Sequence, residues 1–146
     1  MPHASSQYAD ACRNALAAEQ AESRQQTDGW SHVDRRQVHD DWDRLYRAFA
    51  ALPEASEASS PAVQELVAQH YAIACRFYGP SKEAYIGMSL FYGEDPDMRT
   101  FHDAYAPELV HRLSKAMQVF AQRHLRAGDG ASLGAPSSAA VQEDGA

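Results

Sequence analysis

The sequence predicts an all-α single domain of five to six helices, and three features carry that expectation. Apolar residues recur three and four positions apart through the long segments, the spacing of a helix with one buried face. Ser-Pro, Asp-Pro and Gly-Pro pairs punctuate those segments where caps and breaks belong. No stretch alternates apolar and polar residues with the period of two that a half-buried strand needs. With 146 residues, 45% of them hydrophobic, the chain suffices for one core and is short for two.

Residues 1–6 read as a frayed start. Tyr8 to about Gln26 is rich in Ala, Gln, Glu and Arg and holds no Gly or Pro, which favours helix. Its apolar side chains are mostly alanines plus Leu16, a weak core face. Residues 1–29 are therefore expected to form a helical segment docked loosely, or only on ligand binding. Asp28-Gly29 breaks it.

The second helix is expected from Val33 to Leu52. Val38, Trp42, Leu45, Tyr46, Phe49 and Leu52 form its apolar stripe, Arg44 and Arg47 lie opposite, and Pro53 stops it. The Glu/Ala/Ser run to Ser59 is a solvated loop. Ser60-Pro61 supplies the cap and first position of a third helix, whose apolar face runs through Val63, Leu66, Val67, His70, Ala74, Phe77 and Tyr78. Gly79-Pro80 closes it.

Ser81 caps a short fourth helix through Phe91, and Gly93 breaks that in turn. Asp95-Pro96 opens a helix of one to two turns to Tyr105. Ala106-Pro107 then opens the last, with Leu109, Leu113, Ala116, Met117, Phe120, Ala121 and Leu125 on its core side. After Ala127 the composition turns to Gly, Ala, Ser and Pro, so residues 128–146 read as a disordered acidic tail. The folded domain is expected over 30–127. Helices of unequal length with short joints cross at several angles, as in globins, rather than aligning as a regular bundle.

Composition excludes several functions. The net charge is −7, of which Asp129, Glu143 and Asp144 supply −3, leaving −4 for residues 1–127. A mildly acidic body argues against direct nucleic-acid binding and against an anionic membrane surface. No apolar run reaches the length of a membrane span, and Met1 to Tyr8 lacks the pattern of a signal peptide, so a cytoplasmic protein is expected.

Cys12 and Cys75 stand far apart and outside any zinc spacing, as small hydrophobes. Glu108 and His111 make a single Glu-x-x-His where a di-iron bundle needs two, so no metal site is expected. Without G-x-S-x-G, P-loop or G-x-G-x-x-G there is no sign of an enzyme. Asp40 and Asp41 suit the positive end of a helix.

What remains is an aromatic concentration between Phe77 and Tyr105. Phe77, Tyr78, Tyr85, Phe91, Tyr92, Phe101 and Tyr105 fall there, with Met88 and Met98 among them. A short helix flanked by Gly and Pro cannot hide all of these on one face. Either they are simply core, or some line a groove, where Tyr and Met offer apolar area with a polar or pliable handle. His70, on the apolar face of the third helix, is either a core histidine bonded to a neighbour or a ligand contact.

The run Tyr78-Gly79-Pro80-Ser81-Lys82-Glu83-Ala84-Tyr85-Ile86-Gly87-Met88-Ser89-Leu90-Phe91-Tyr92-Gly93-Glu94-Asp95-Pro96 resembles the signature segment of the TipAS antibiotic-recognition domain. His70 eight residues earlier, Asp41-Trp42 in the second helix and the Ala-Pro-Glu-Leu start of the last helix fit the same family, over about Trp30 to His124. The resemblance implies an all-α, globin-like domain that binds bulky apolar peptide antibiotics such as thiopeptides. In the founding member this domain follows a MerR-type DNA-binding half, which has no counterpart here, so a stand-alone form is expected. That member captures its antibiotics through cysteine. The matching positions here are Gly87 and Pro80, so the resemblance implies non-covalent binding.

The expected function is thus sequestration or sensing of an apolar, peptide-type antibiotic in an aromatic-lined groove, without cofactor. Trp42, His70, Phe77, Tyr78 and Tyr85 are the expected ligand contacts, together with Met88, Phe91, Tyr92, Phe101 and Tyr105. The alternatives are a regulatory module whose groove takes a partner helix, such as one from a separately encoded regulator, and a haem- or metal-binding α domain.

Overall fold

The computed structural model describes residues 2–127, which form six helices and no strand. They are α1 (Pro2–Gln26), α2 (Arg35–Ala50), α3 (Pro61–Ala74), α4 (Lys82–Glu94), α5 (Pro96–Asp103) and α6 (Leu109–His124). The tail expected at 128–146 lies outside the described residues.

Side chains at most helix starts satisfy the otherwise idle backbone N–H groups. Asp34 accepts from the Gln37 amide of α2 at 3.1 Å, Ser60 from Val63 of α3 at 3.4 Å, and Ser81 from Ala84 of α4 at 3.2 Å. Asp95 accepts from the Met98 amide at 3.0 Å and is also the last cap of α4, so one extended residue joins α4 to α5.

Several boundaries differ from expectation. α2 is shorter at both ends, α4 runs on through Gly93 to Glu94, and α5 stops at Asp103. Three further differences have local causes. α3 ends at Ala74, because the Arg76 and Phe77 amides turn back three residues to Ile73 and Ala74, which takes Phe77 and Tyr78 off the helix. Pro107 does not open α6. Glu108 beside it is left-handed (φ 60°) and caps nothing, and Asp103 instead accepts from the Val110 amide at 3.0 Å. Lastly, α1 is not frayed before Tyr8 but helical from Pro2, proline being well suited to a first turn.

α4 lies between α1 and α6, while α3 packs on α2 and α6. The core gathers Tyr46 and Phe49 from α2, Val67 from α3, Tyr85 and Tyr92 from α4, and Leu109, Leu113 and Met117 from α6. A smaller cluster of Val38, Leu45 and Ile73 extends it between α2 and α3.

The expected loose docking of α1 is not what the structure has. Cys12 and Leu16 are buried against α4, and the Cys12 carbonyl presses on Gly87, where an added Cβ would meet its oxygen at 2.3 Å. Polar bonds pin both ends of the contact. Arg13 pairs with Glu94 at the end of α4, and Glu19 accepts from the Ser81 amide (3.1 Å) and hydroxyl at its start. The Trp30 indole N–H then donates to Ser23 of α1 at 2.8 Å. Alanine and glycine let two backbones approach closely, and a count of large apolar residues misses this.

Gly87→Ala is accordingly expected to detach α1. Backbone atoms cannot swing aside as a side chain can, so overpacking costs about 1–3 kcal/mol, more than the ~1 kcal/mol alanine gains as a helix former. Hydrogen exchange should quicken across α1 and stay unchanged in α3 and α6. A more stable variant would show that this contact does not hold α1.

Candidate functional site

The rings between Phe77 and Tyr105, expected to share one groove, divide into three groups. The first is buried and bonded to itself. His70 of α3, Tyr85 and Tyr92 of α4, Tyr46 of α2 and His102 of α5 are all 5% exposed or less. His70 Nδ1 lies 2.8 Å from the Tyr85 hydroxyl and its Nε2 lies 3.2 Å from that of Tyr92. The Tyr92 ring also packs against His102, with centroids 4.5 Å apart. Tyr46 reaches His102 Nε2 at 3.1 Å, and His102 Nδ1 reaches the Met98 carbonyl at 2.7 Å.

A carbonyl can only accept, which fixes the proton positions at His102. His102 carries its proton on Nδ1 and donates to Met98, so its Nε2 accepts from Tyr46. At His70 one ring nitrogen donates and the other accepts, so of the Tyr85 and Tyr92 hydroxyls one donates to the ring and the other accepts from it. Both imidazoles are neutral. Burial drives the His70 pKa down to about 3 and lowers that of His102 as well. Of the expected ligand contacts, His70, Tyr85 and Tyr92 are thus core residues here, with their polar atoms engaged.

The second group is a stack at the base of α2. Trp42 lies over His70 (centroids 5.4 Å) and Phe77 (6.2 Å), and Phe77 meets the edge of Trp30 at 5.0 Å. The indole nitrogen of Trp42 and the Tyr78 hydroxyl are buried without a hydrogen-bond partner. Asp41 beside Trp42 accepts from Arg76 at 2.7 Å, an ion pair from α2 to the turn after α3, which adds to the helix-end role expected of it. Met88 is half-buried against the core, and Phe91 is exposed on α4. None of these reaches the cavity formed by the third group.

That cavity is an open groove of about 780 Å³ between α2 and α5. Phe101 and Tyr105 are the two expected contacts that line it, along with Asp43, Arg47, Ala50, Ala51, Thr100 and Ala104. Phe101 is 46% exposed, about as much as Phe91 of α4 at 44%, but unlike Phe91 it lines the groove. Tyr105 donates to Asp43 Oδ1 at 2.7 Å, and Arg47 donates to Asp43 Oδ2 at 2.8 Å. The Arg47 bond and then the Tyr105 bond hold the Asp43 carboxyl below its usual range, and burial beside that carboxylate raises the Tyr105 phenol to about 12. The groove therefore has an apolar floor and wall with one internally paired polar rim.

Sequence reasoning missed Asp43, Arg47 and the three alanines, and it missed Tyr46 and His102 as members of the buried cluster. The i,i+4 spacing of Asp43 and Arg47 was available as a signal, but it reads as an ordinary surface pair. Among the described residues no three His, Cys, Asp or Glu side chains converge to hold a metal ion, and no helix is long and apolar enough to cross a membrane.

A family model described as the TipAS antibiotic-recognition domain matches residues 3–120, from α1 into α6. No curated protein and no solved structure matches the chain.

The two neutral imidazoles set a pH dependence of stability. A histidine whose folded pKa lies below its unfolded value of about 6.5 binds fewer protons folded than unfolded. Stability is full above that pH and falls as pH drops, by up to about 1.4 kcal/mol per unit for His70 until its folded pKa is passed. Asp41, Asp43 and Glu94 are held low by arginine partners, and their contribution is lost only below about pH 4. Urea midpoints should therefore decline between pH 6.5 and 5 in the wild type and lie on a flatter line in His70→Gln. A flat wild-type profile over that window would mean that the fold does not exclude the imidazolium form.

Proposed function

Because the chain belongs to the TipAS antibiotic-recognition domain family, we propose that it binds an apolar, peptide-type antibiotic non-covalently in the groove between α2 and α5, and so sequesters or senses it. The observation that carries this reading is Phe101. It is a large ring 46% exposed on the wall of a groove of about 780 Å³, beside the half-buried Tyr105. Such a volume suits a drug-sized ligand, and an apolar wall framed by a few polar groups is the usual composition of a binding site. An exposed ring of this size gains when a ligand covers it, by roughly 25 cal/mol for each Å² removed from water.

Two further features support a non-covalent mode. Gly87 and Pro80 stand where the resemblance puts reactive cysteines. The chain's own thiols do not line the groove, and burial raises the pKa of both Cys12 and Cys75, which disfavours the thiolate a covalent capture needs. The haem alternative meets a different obstacle. His70 and His102 have both ring nitrogens engaged in the buried cluster, so ligating iron would break it.

Calorimetric titration of thiopeptides and other peptide antibiotics should give saturable binding at micromolar Kd or tighter, about −8 kcal/mol or better. Phe101→Ala should weaken it about tenfold or more with a smaller loss of stability than a core truncation gives, since the ring is nearly half exposed and meets Tyr46 and His102 edge-on. Unchanged affinity in that variant would move the ligand away from the groove. No saturable binding across the panel would overturn the reading.

A further inference from the structure

The groove exists because α2 and α5 hardly meet. Their backbones make no extensive contact, whereas α5 is packed on α4 and α6. Two hydrogen bonds cross the gap: Tyr105 Oη to Asp43 Oδ1 at 2.7 Å on the rim, and Tyr46 Oη to His102 Nε2 at 3.1 Å beneath it. α5 itself has only 8 residues, and a single extended residue, Asp95, connects it to α4. After it, the chain turns through left-handed Glu108 before α6 begins. A helix this short is marginal alone, so its placement depends on its tertiary contacts.

His102 and Phe101 are neighbours in sequence and point about 100° apart around the helix, so one can face inward while the other faces the groove. His102 is fully buried, and Phe101 is 46% exposed. The Tyr46 ring lies against all three groove-side groups, with centroids 4.8 Å from His102, 6.1 Å from Phe101 and 5.4 Å from Tyr105. From these observations we infer that His102 is the positioning residue of the groove. By bridging α5 to Tyr46 of α2 it fixes the rotation of α5, and with it the place of the Phe101 ring. The consequence for affinity rests on the antibiotic-binding reading above, while the consequence for α5 does not.

The two ring nitrogens of His102 have separate duties, and amide side chains of different length separate them. Asparagine keeps a donor near the Nδ1 position, toward the Met98 carbonyl, and loses the reach to Tyr46. Glutamine reaches toward Tyr46 and loses Met98. The test compares wild type, His102→Asn, His102→Gln and Tyr46→Phe in the full chain. Without ligand, amide exchange in α5 is expected to quicken several-fold in His102→Asn and Tyr46→Phe and to stay near wild type in His102→Gln, with α3 and α6 unaffected in all three. With a thiopeptide as probe, affinity should fall about tenfold in the same two variants and be kept in His102→Gln, although every variant melts lower than wild type.

Affinity that tracks melting temperature rather than the bridge would reduce His102 to a structural residue and overturn the inference. So would α5 exchange that is equal in all four proteins, or affinity that ignores a bridge the exchange data show to be broken. If the wild type binds no thiopeptide, the antibiotic reading fails, and the exchange data alone then decide whether His102 positions α5. Should His102→Asn fail to fold, Tyr46→Phe removes the same bond from the other side with one atom deleted.

Discussion

The arrangement of four helices depends on a buried cluster of hydroxyls and imidazoles. His70 of α3 bonds the Tyr85 and Tyr92 hydroxyls of α4, and His102 of α5 bonds Tyr46 of α2 and the Met98 carbonyl. The two sets pack ring on ring, Tyr46 against His70 at 6.1 Å and Tyr92 against His102 at 4.5 Å. Polar groups in an apolar interior are costly when idle, by about 1–3 kcal/mol each, and nearly neutral when all are paired. A core of leucines would tolerate small slides of one helix past another, but these bonds are directional and short, so a slide of about 1 Å would break them.

α4 is the other fixed point, and it is held by contrasting means on its two faces. Toward α6 it presents Tyr85 and Tyr92 to a conventional packed core. Toward α1 it presents Gly87, and the backbone of Cys12 fills the space a side chain would take. The contact there buries few large side chains, so its polar ends carry much of the specificity: Arg13 with Glu94 and Glu19 with Ser81. The same geometry bears on the chemistry of the family. Any side chain at 87, cysteine included, is incompatible with α1 in its present seat. A docked first helix and a glycine at this position therefore go together.

Much of the helical framework was legible in the sequence, because it is set locally. The stripe from Val38 to Leu52 and the caps Ser60-Pro61, Ser81 and Asp95-Pro96 act within a few residues, and the structure has helices at each. The end of α3 and the start of α6 were less legible. Phe77 belongs to a three-residue turn and Asp103 caps α6 from seven residues away, and neither spacing is a helix signal. The site was least legible. Tyr85 and Phe101 look alike in a list of aromatics, yet one is wholly buried and the other nearly half exposed. Tyr85 faces inward to His70 on another helix, whereas Phe101 sits on the groove side of α5, and sequence spacing carries neither fact. His70 illustrates the point, since its helix face favours a core histidine over a ligand contact but cannot name the partners, which are Tyr85 and Tyr92 on either side of its ring.

That division of the aromatics explains why the groove lies at α5 rather than along the whole of α4. The buried cluster uses the hydroxyls of Tyr46, Tyr85 and Tyr92, which leaves those rings no polar handle to offer a ligand. Phe101 has none to begin with and stays at the surface beside three alanines, Ala50, Ala51 and Ala104. At the rim, Asp43 is already satisfied by Arg47 and Tyr105. An apolar guest covering this rim would not strand an unpaired charge, whereas an anionic guest would have to compete with Asp43 for Arg47 and approach a carboxylate to do so. On the proposed reading of the groove, this paired rim favours a neutral, apolar guest over an anionic one.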